Sequence, residues 1–168
     1  MGSPVSILTS IIGSVAGKAL SGNLFALSEC FIKTVREKNF KLPVGLIGDD
    51  SLLAWVSSHN FKLSHGETAG FLIGVENAQF EYHRLTPTSW SNVKLYYRRL
   101  TRYSLRHLQQ KCIRSFLDEH DNFEMLPENI TELYCLHKPE HLRTNSFINK
   151  YFDTKASRQI NHYLTEDH

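Results

Sequence analysis

From Tyr82 to Leu117 the chain carries Arg84, Lys94, Arg98, Arg99, Arg102, Arg106, Lys111 and Arg114 without a single Asp or Glu. Burying such charges unpaired is costly, and a helical run of like charges with no acids interleaved at i±4 repels itself. The segment must therefore lie on a surface. Its cations either face an external anion or are clasped by carboxylates from elsewhere in the chain, such as Asp118-Glu119-His120-Asp121. Thr88 or Ser89, just after Pro87, is suited to cap a helix running through the segment. At 100° per residue Lys94, Arg98, Arg99, Arg102 and Arg106 fall within an arc of about 140°. The apolar residues are less consistent. Val93, Tyr96, Tyr97, Leu100 and Tyr103 share one side, whereas Leu105, Leu108, Cys112 and Phe116 share a side turned by about 120°. This jump predicts a kink, or two helices meeting, near Tyr103-Ser104.

The remainder of the chain has the opposite sign. With 19 basic and 17 acidic residues in total, 11 basic and all 17 acidic residues lie outside the segment, so a net charge of +2 hides a strongly polarised molecule. Such fields act on partners rather than on fold. A length of 168 residues with 41% hydrophobic and 21% charged residues is that of one ordinary globular domain, residues 1–168, able to bury a core.

Local patterns predict an α+β fold, mainly helical with one small antiparallel hairpin. Val5, Leu8, Ile12, Val15, Ala16 and Ala19 form a helical stripe, so residues 1–20 are expected as an amphipathic, mobile N-terminal segment. A second helix is expected from about Leu24 to Arg36. Asp49-Asp50-Ser51 reads as the N-cap cluster of a helix over Leu52 to Ser58. The β-prone run Gly70 to Val75, the turn-like Glu76-Asn77-Ala78 and the alternation from Phe80 to Arg84 predict the hairpin, at residues 70–85. Pro127-Glu128-Asn129 starts a short helix or strand ending at Leu136, and a last helix spans Asn145 to Tyr163 with Ile148, Tyr151, Phe152, Ile160 and Tyr163 inward.

Met1-Gly2-Ser3-Pro4-Val5-Ser6 fits the M-G-x-x-x-[ST] pattern that exposes Gly2 for myristoylation. One myristoyl chain binds membranes only marginally, and a basic face is the usual second signal. The leading expectation is thus an acylated, matrix-like peripheral adaptor, cytoplasmic at the inner face of a membrane. Its polyanion-binding residues are Lys94, Arg98, Arg99, Arg102, Arg106, Lys111 and Arg114. Its partners are an anionic membrane, a polyanionic cargo, an acidic protein or a second copy of itself. The physical logic is that of viral matrix-type proteins, by analogy alone. The alternative is an RNA-binding module in which Tyr96, Tyr97 and Tyr103 stack on bases.

A thiol-dependent enzyme is the third reading. Cys30, Cys112 and Cys135 are odd in number and widely spaced, with no C-x-x-C, which argues for buried thiols of a reducing compartment rather than disulfides or zinc ligands. The nine histidines form no ligand motif, so neither a metal nor a cofactor is expected. Asn129-Ile130-Thr131 is a glycosylation sequon that matters only in a secretory compartment. Leu46-Ile47-Gly48-Asp49-Asp50 looks like the apolar-Gly-Asp-Asp motif of viral RNA-dependent polymerases, and Ala69 to Gly74 is similar to the core of LAGLIDADG endonucleases. Both stretches lack the further metal-binding acids those chemistries need, and the first is better read as a helix cap.

Overall fold

A computed structural model of the protein describes residues 25–65, 89–139 and 142–166. The expectation of an α+β fold is overturned: 71% of these residues are helical, in five α-helices and two single turns of 3-10 helix, and they contain no strand or sheet. The hairpin expected at 70–85, the amphipathic segment 1–20 and Gly2 lie outside the described residues.

The chain gathers into two compact units. Of the described residues, the first comprises 25–42, 48–65 and 121–125. Its helix α1 spans Glu29–Glu37, where the Oγ of Ser28 accepts the N–H of Phe31 and caps the first turn. That cap explains why the helix begins later than its apolar pattern. It ends as the N–H of Phe40 bonds the carbonyl of Val35 across Asn39, which takes the left-handed conformation suited to Asn. Helix α2, Asp49–Ser58, is capped by Gly48 at φ 95°, without a side-chain hydrogen bond. Asp49 and Asp50 are therefore not the cap but the first turn, where carboxylates suit the helix dipole. Phe40, Leu52, Val56, Phe61 and Phe123 supply the buried apolar core of this unit. The ring of Phe61 stacks on Phe31 and meets Phe40 edge-on.

The second unit comprises 43–47, 89–120 and 126–166 of the described residues, with α3 over Trp90–His120, α4 over Ile130–Leu136 and α5 over Phe147–Glu166. Helix α3 is capped by Ser89, whose Oγ accepts the N–H of Asn92, and it runs without interruption through Tyr103 and Ser104. The kink or helix junction predicted there does not occur. The reason lies in burial: every buried residue of α3 lies between Ser104 and Leu117, so only the second apolar stripe belongs to the core. The first stripe makes no conflicting demand.

Two polar arrangements hold this unit in register. Buried Gln109 of α3 accepts the N–H of Ile47 at 2.7 Å and donates to the carbonyl of Gly45 at 3.1 Å and the hydroxyl of Tyr134 at 2.8 Å. It thereby fastens the segment 43–47 to α3 and α4. That segment is apolar enough to read as a strand, yet its only ladder contact among the described residues is one bridge between Val44 and Asn129. Gly45, at φ 82°, lies where a Cβ would come within 3.0 Å of Ile130 Cγ2. The second arrangement centres on Asp153 of α5, whose side chain is fully buried. Arg143 grips both its carboxylate oxygens, at 2.7 and 3.0 Å, and also donates to Ser104 Oγ. Around these lie Leu105, Leu108, Ile113, Leu117, Leu133, Tyr134 and Ile160, all buried. On α5, Phe152 and Ile160 face inward as expected, but Ile148, Tyr151 and Tyr163 are exposed, and the inward places are taken by Asp153 and Ala156.

Candidate anion-binding groove

In the C-terminal half of α3 the stripe Leu105, Gln109, Cys112, Phe116 faces the core. Continued upstream at the same three- and four-residue spacing, that stripe reads Arg102, Arg98, Lys94. The face that is apolar core in one half of the helix is thus cationic in the other. Where the face changes character it borders a groove of about 560 Å³ whose walls include Ile47, Leu95, Tyr97, Arg98, Arg102 and Leu105, with Lys155 and Gln159 of α5. Arg99 and Thr101 also reach it, and among the described residues no Asp or Glu does.

The seven cations singled out from the sequence fall into two groups. Lys94, Arg98, Arg99 and Arg102 are exposed and have no acidic partner among the described residues. Arg106 and Lys111 are half-buried and engaged, and Arg114 pairs with Asp118 at 2.9 Å one turn on. The acidic cluster expected to neutralise the segment therefore reaches Arg114 but not the group around Arg98. Its Asp121 is bound instead to the backbone N–H and hydroxyl of Ser64, which hold the carboxyl below its ordinary range.

The three tyrosines also divide. Tyr96 and Tyr103, seven residues apart and so on nearly the same face, are more than half exposed. Tyr97 turns toward α5. Its hydroxyl accepts from Lys155 Nζ at 3.0 Å and lies 2.9 Å from the hydroxyl of Tyr151, while Lys155 sits 4.3 Å from the centre of its ring. The hydrogen bond with Tyr151, then that from Lys155, lower the pKa of Tyr97, and the bond with Tyr97 raises that of Tyr151.

Sequence reasoning missed the contribution of α5. Lys150, Thr154 and Arg158 recur every four residues on one face, with Tyr151 and Lys155 beside them. That periodicity was available, but the last helix was read by its apolar residues alone. Asp153 is turned inward and consumed by Arg143, leaving the outer face cationic.

The thiols offer little chemistry. Burial pushes Cys112 up to about 12, away from the thiolate that a nucleophile requires. Contrary to the expectation of three buried thiols, Cys30 and Cys135 are exposed. Among the described residues no three His, Cys, Asp or Glu side chains gather as a metal-binding group, and no helix is long and apolar enough to cross a membrane. The chain matches no family model, no curated protein and no solved structure.

Proposed function

We propose that this protein is a non-catalytic adaptor that docks an acidic protein segment on the groove of α3. The observation that carries this reading is the run Lys94, Arg98, Arg102 on the core-facing stripe of α3, leading into a groove that no acid among the described residues lines. A cation placed there, rather than on the opposite, fully solvated side, is positioned to be covered. One turn before Lys94 on the same helix, Trp90 is 83% exposed. Arg, Tyr and Trp are the residues enriched at the energetic centres of protein interfaces, where an apolar contact and a charge act together.

The test uses three fluorescent or light-scattering probes on the full chain: a Glu- and Leu-containing peptide, a single-stranded RNA oligonucleotide, and phosphatidylserine vesicles. Arg98, Arg99 and Arg102 replaced together by Glu should abolish binding of the peptide, which the unaltered protein should prefer. Preference for RNA would return the function to a nucleic-acid module, and preference for vesicles to a membrane-bound one. The membrane reading has one specific support, the Met1 to Ser6 acylation pattern. An unmodified intact mass after expression in eukaryotic cells would remove it.

A further inference from the structure

A second groove, of about 600 Å³, lies along α5 and is walled by Tyr97, Phe147, Lys150, Tyr151, Lys155 and Arg158, with Thr154 in its lining and no acidic side chain among the described residues. We infer that this groove binds a phosphate monoester carried on an aromatic ring, the chemistry of a phosphotyrosine side chain. The site is distinct from the α3 groove in its ligand and in four of its cation and aromatic positions, Phe147, Lys150, Tyr151 and Arg158, and it stands whether or not the α3 groove takes an acidic segment.

Three features support it together. First, Lys150 and Arg158, two turns apart on α5, bracket the groove and have no acidic partner among the described residues, with Lys155 between them. Second, the centre of the site is preorganised. Lys155 is held by the hydroxyl and the ring face of Tyr97, and the hydroxyl of Tyr151 lies 2.9 Å from that same hydroxyl. A dianion would meet the ammonium of Lys155, a charge-assisted bond of the stronger kind, beside two phenol hydroxyls. Third, the groove has an aromatic side. The ring of Phe147 is 94% exposed and that of Tyr151 57%, with Tyr151 edge-on to the buried Phe152 that anchors it. A fully solvated phenylalanine beside three cations is a poor arrangement for a phosphate alone and a suitable one for a ring that bears a phosphate.

Binding to the full chain is measured by isothermal titration with five probes: phenyl phosphate, inorganic phosphate, adenosine monophosphate, and one tyrosine-containing peptide with and without phosphate on its tyrosine. Phenyl phosphate and the phosphopeptide should bind, inorganic phosphate and the unmodified peptide at least about tenfold more weakly. Lys150→Ala with Arg158→Ala should weaken the phosphopeptide by about tenfold or more and leave an acidic, phosphate-free peptide on the α3 groove unchanged. Phe147→Ala should reduce phenyl phosphate to the level of inorganic phosphate. Both surface variants keep the Arg143–Asp153 pair and the core intact, and a circular dichroism spectrum checks this. Equal binding of the two peptides, insensitivity to Lys150→Ala with Arg158→Ala, or a preference for adenosine monophosphate over phenyl phosphate would overturn the inference. Loss of the phosphate-free peptide alone, with phenyl phosphate retained, counts against the α3 groove and not against this site.

Discussion

Asp153 is the residue on which the exposed surface of α5 most depends, although it touches none of it. Burial by itself would favour the neutral acid, but the side-chain and backbone N–H groups of Arg143, with the Ser104 hydroxyl, outweigh it and hold the carboxyl below its ordinary range. Asp153→Ala leaves the guanidinium of Arg143 without its partner and should lower the unfolding free energy by about 3 kcal/mol, read from urea denaturation. A depressed carboxylate contributes stability that is present above its unfolded value, near 4, and lost as pH falls through the folded one. The wild type should therefore lose ground to the Ala variant below about pH 4.

His107 behaves similarly at milder pH. Its Nε2 is buried without a hydrogen-bond partner, and burial, then Arg143, then Lys111 lower its pKa, with Asp153 opposing. The folded chain binds this proton less readily than the unfolded one, so stability should fall as pH drops below about 6.5, and His107→Gln should flatten that slope. Neither residue was legible beforehand. Single sequence positions reveal charge and size, but the ten-residue separation of Arg143 from Asp153 carries no periodic signal, and His107 sits in an ordinary helical run.

At the scale of elements, periodicity located the helices and failed where a tertiary partner decides. The last helix was legible from its apolar spacing and lies within a few residues of its expected ends. The split stripe of α3 was read correctly as a pattern and wrongly as a break, because equal weight was given to an apolar stripe none of whose residues is fully buried. The segment 43–47 has strand-like residues, yet beyond the one bridge of Val44 to 128–130 its backbone groups at Gly45 and Ile47 bond to the side chain of Gln109. That one amide should therefore matter more than its polarity suggests. Gln109→Leu strands the Ile47 N–H, the Gly45 carbonyl and the Tyr134 hydroxyl, and should destabilise the protein by about 2 to 4 kcal/mol, seen as a lower urea midpoint with an unchanged slope. A variant with unaltered stability would show that water satisfies these groups and that the segment is held otherwise.

At the scale of the whole molecule, charge segregation was fully legible and its geometry was not. The acid-free segment had to lie on a surface, and Lys94, Arg98, Arg99 and Arg102 do so without acidic partners among the described residues. The sequence did not show that these cations extend the core-facing stripe, nor that α5 adds Lys150, Lys155 and Arg158 beside them. Arg98, Arg99 and Arg102 together replaced by Glu should change stability by no more than about 1 kcal/mol per charge, because exposed charges contribute little to folding. A variant that fails to fold would mean that these side chains are structural.

The most direct measurement is a nuclear magnetic resonance titration of the labelled chain with a Glu- and Leu-containing peptide. The account predicts that backbone shifts and arginine side-chain signals change from Leu95 to Leu105 and around Lys155 and Gln159, and that the changes shrink as salt rises. Changes confined to other surfaces, or arginine signals that stay unmoved at saturating peptide, would contradict it.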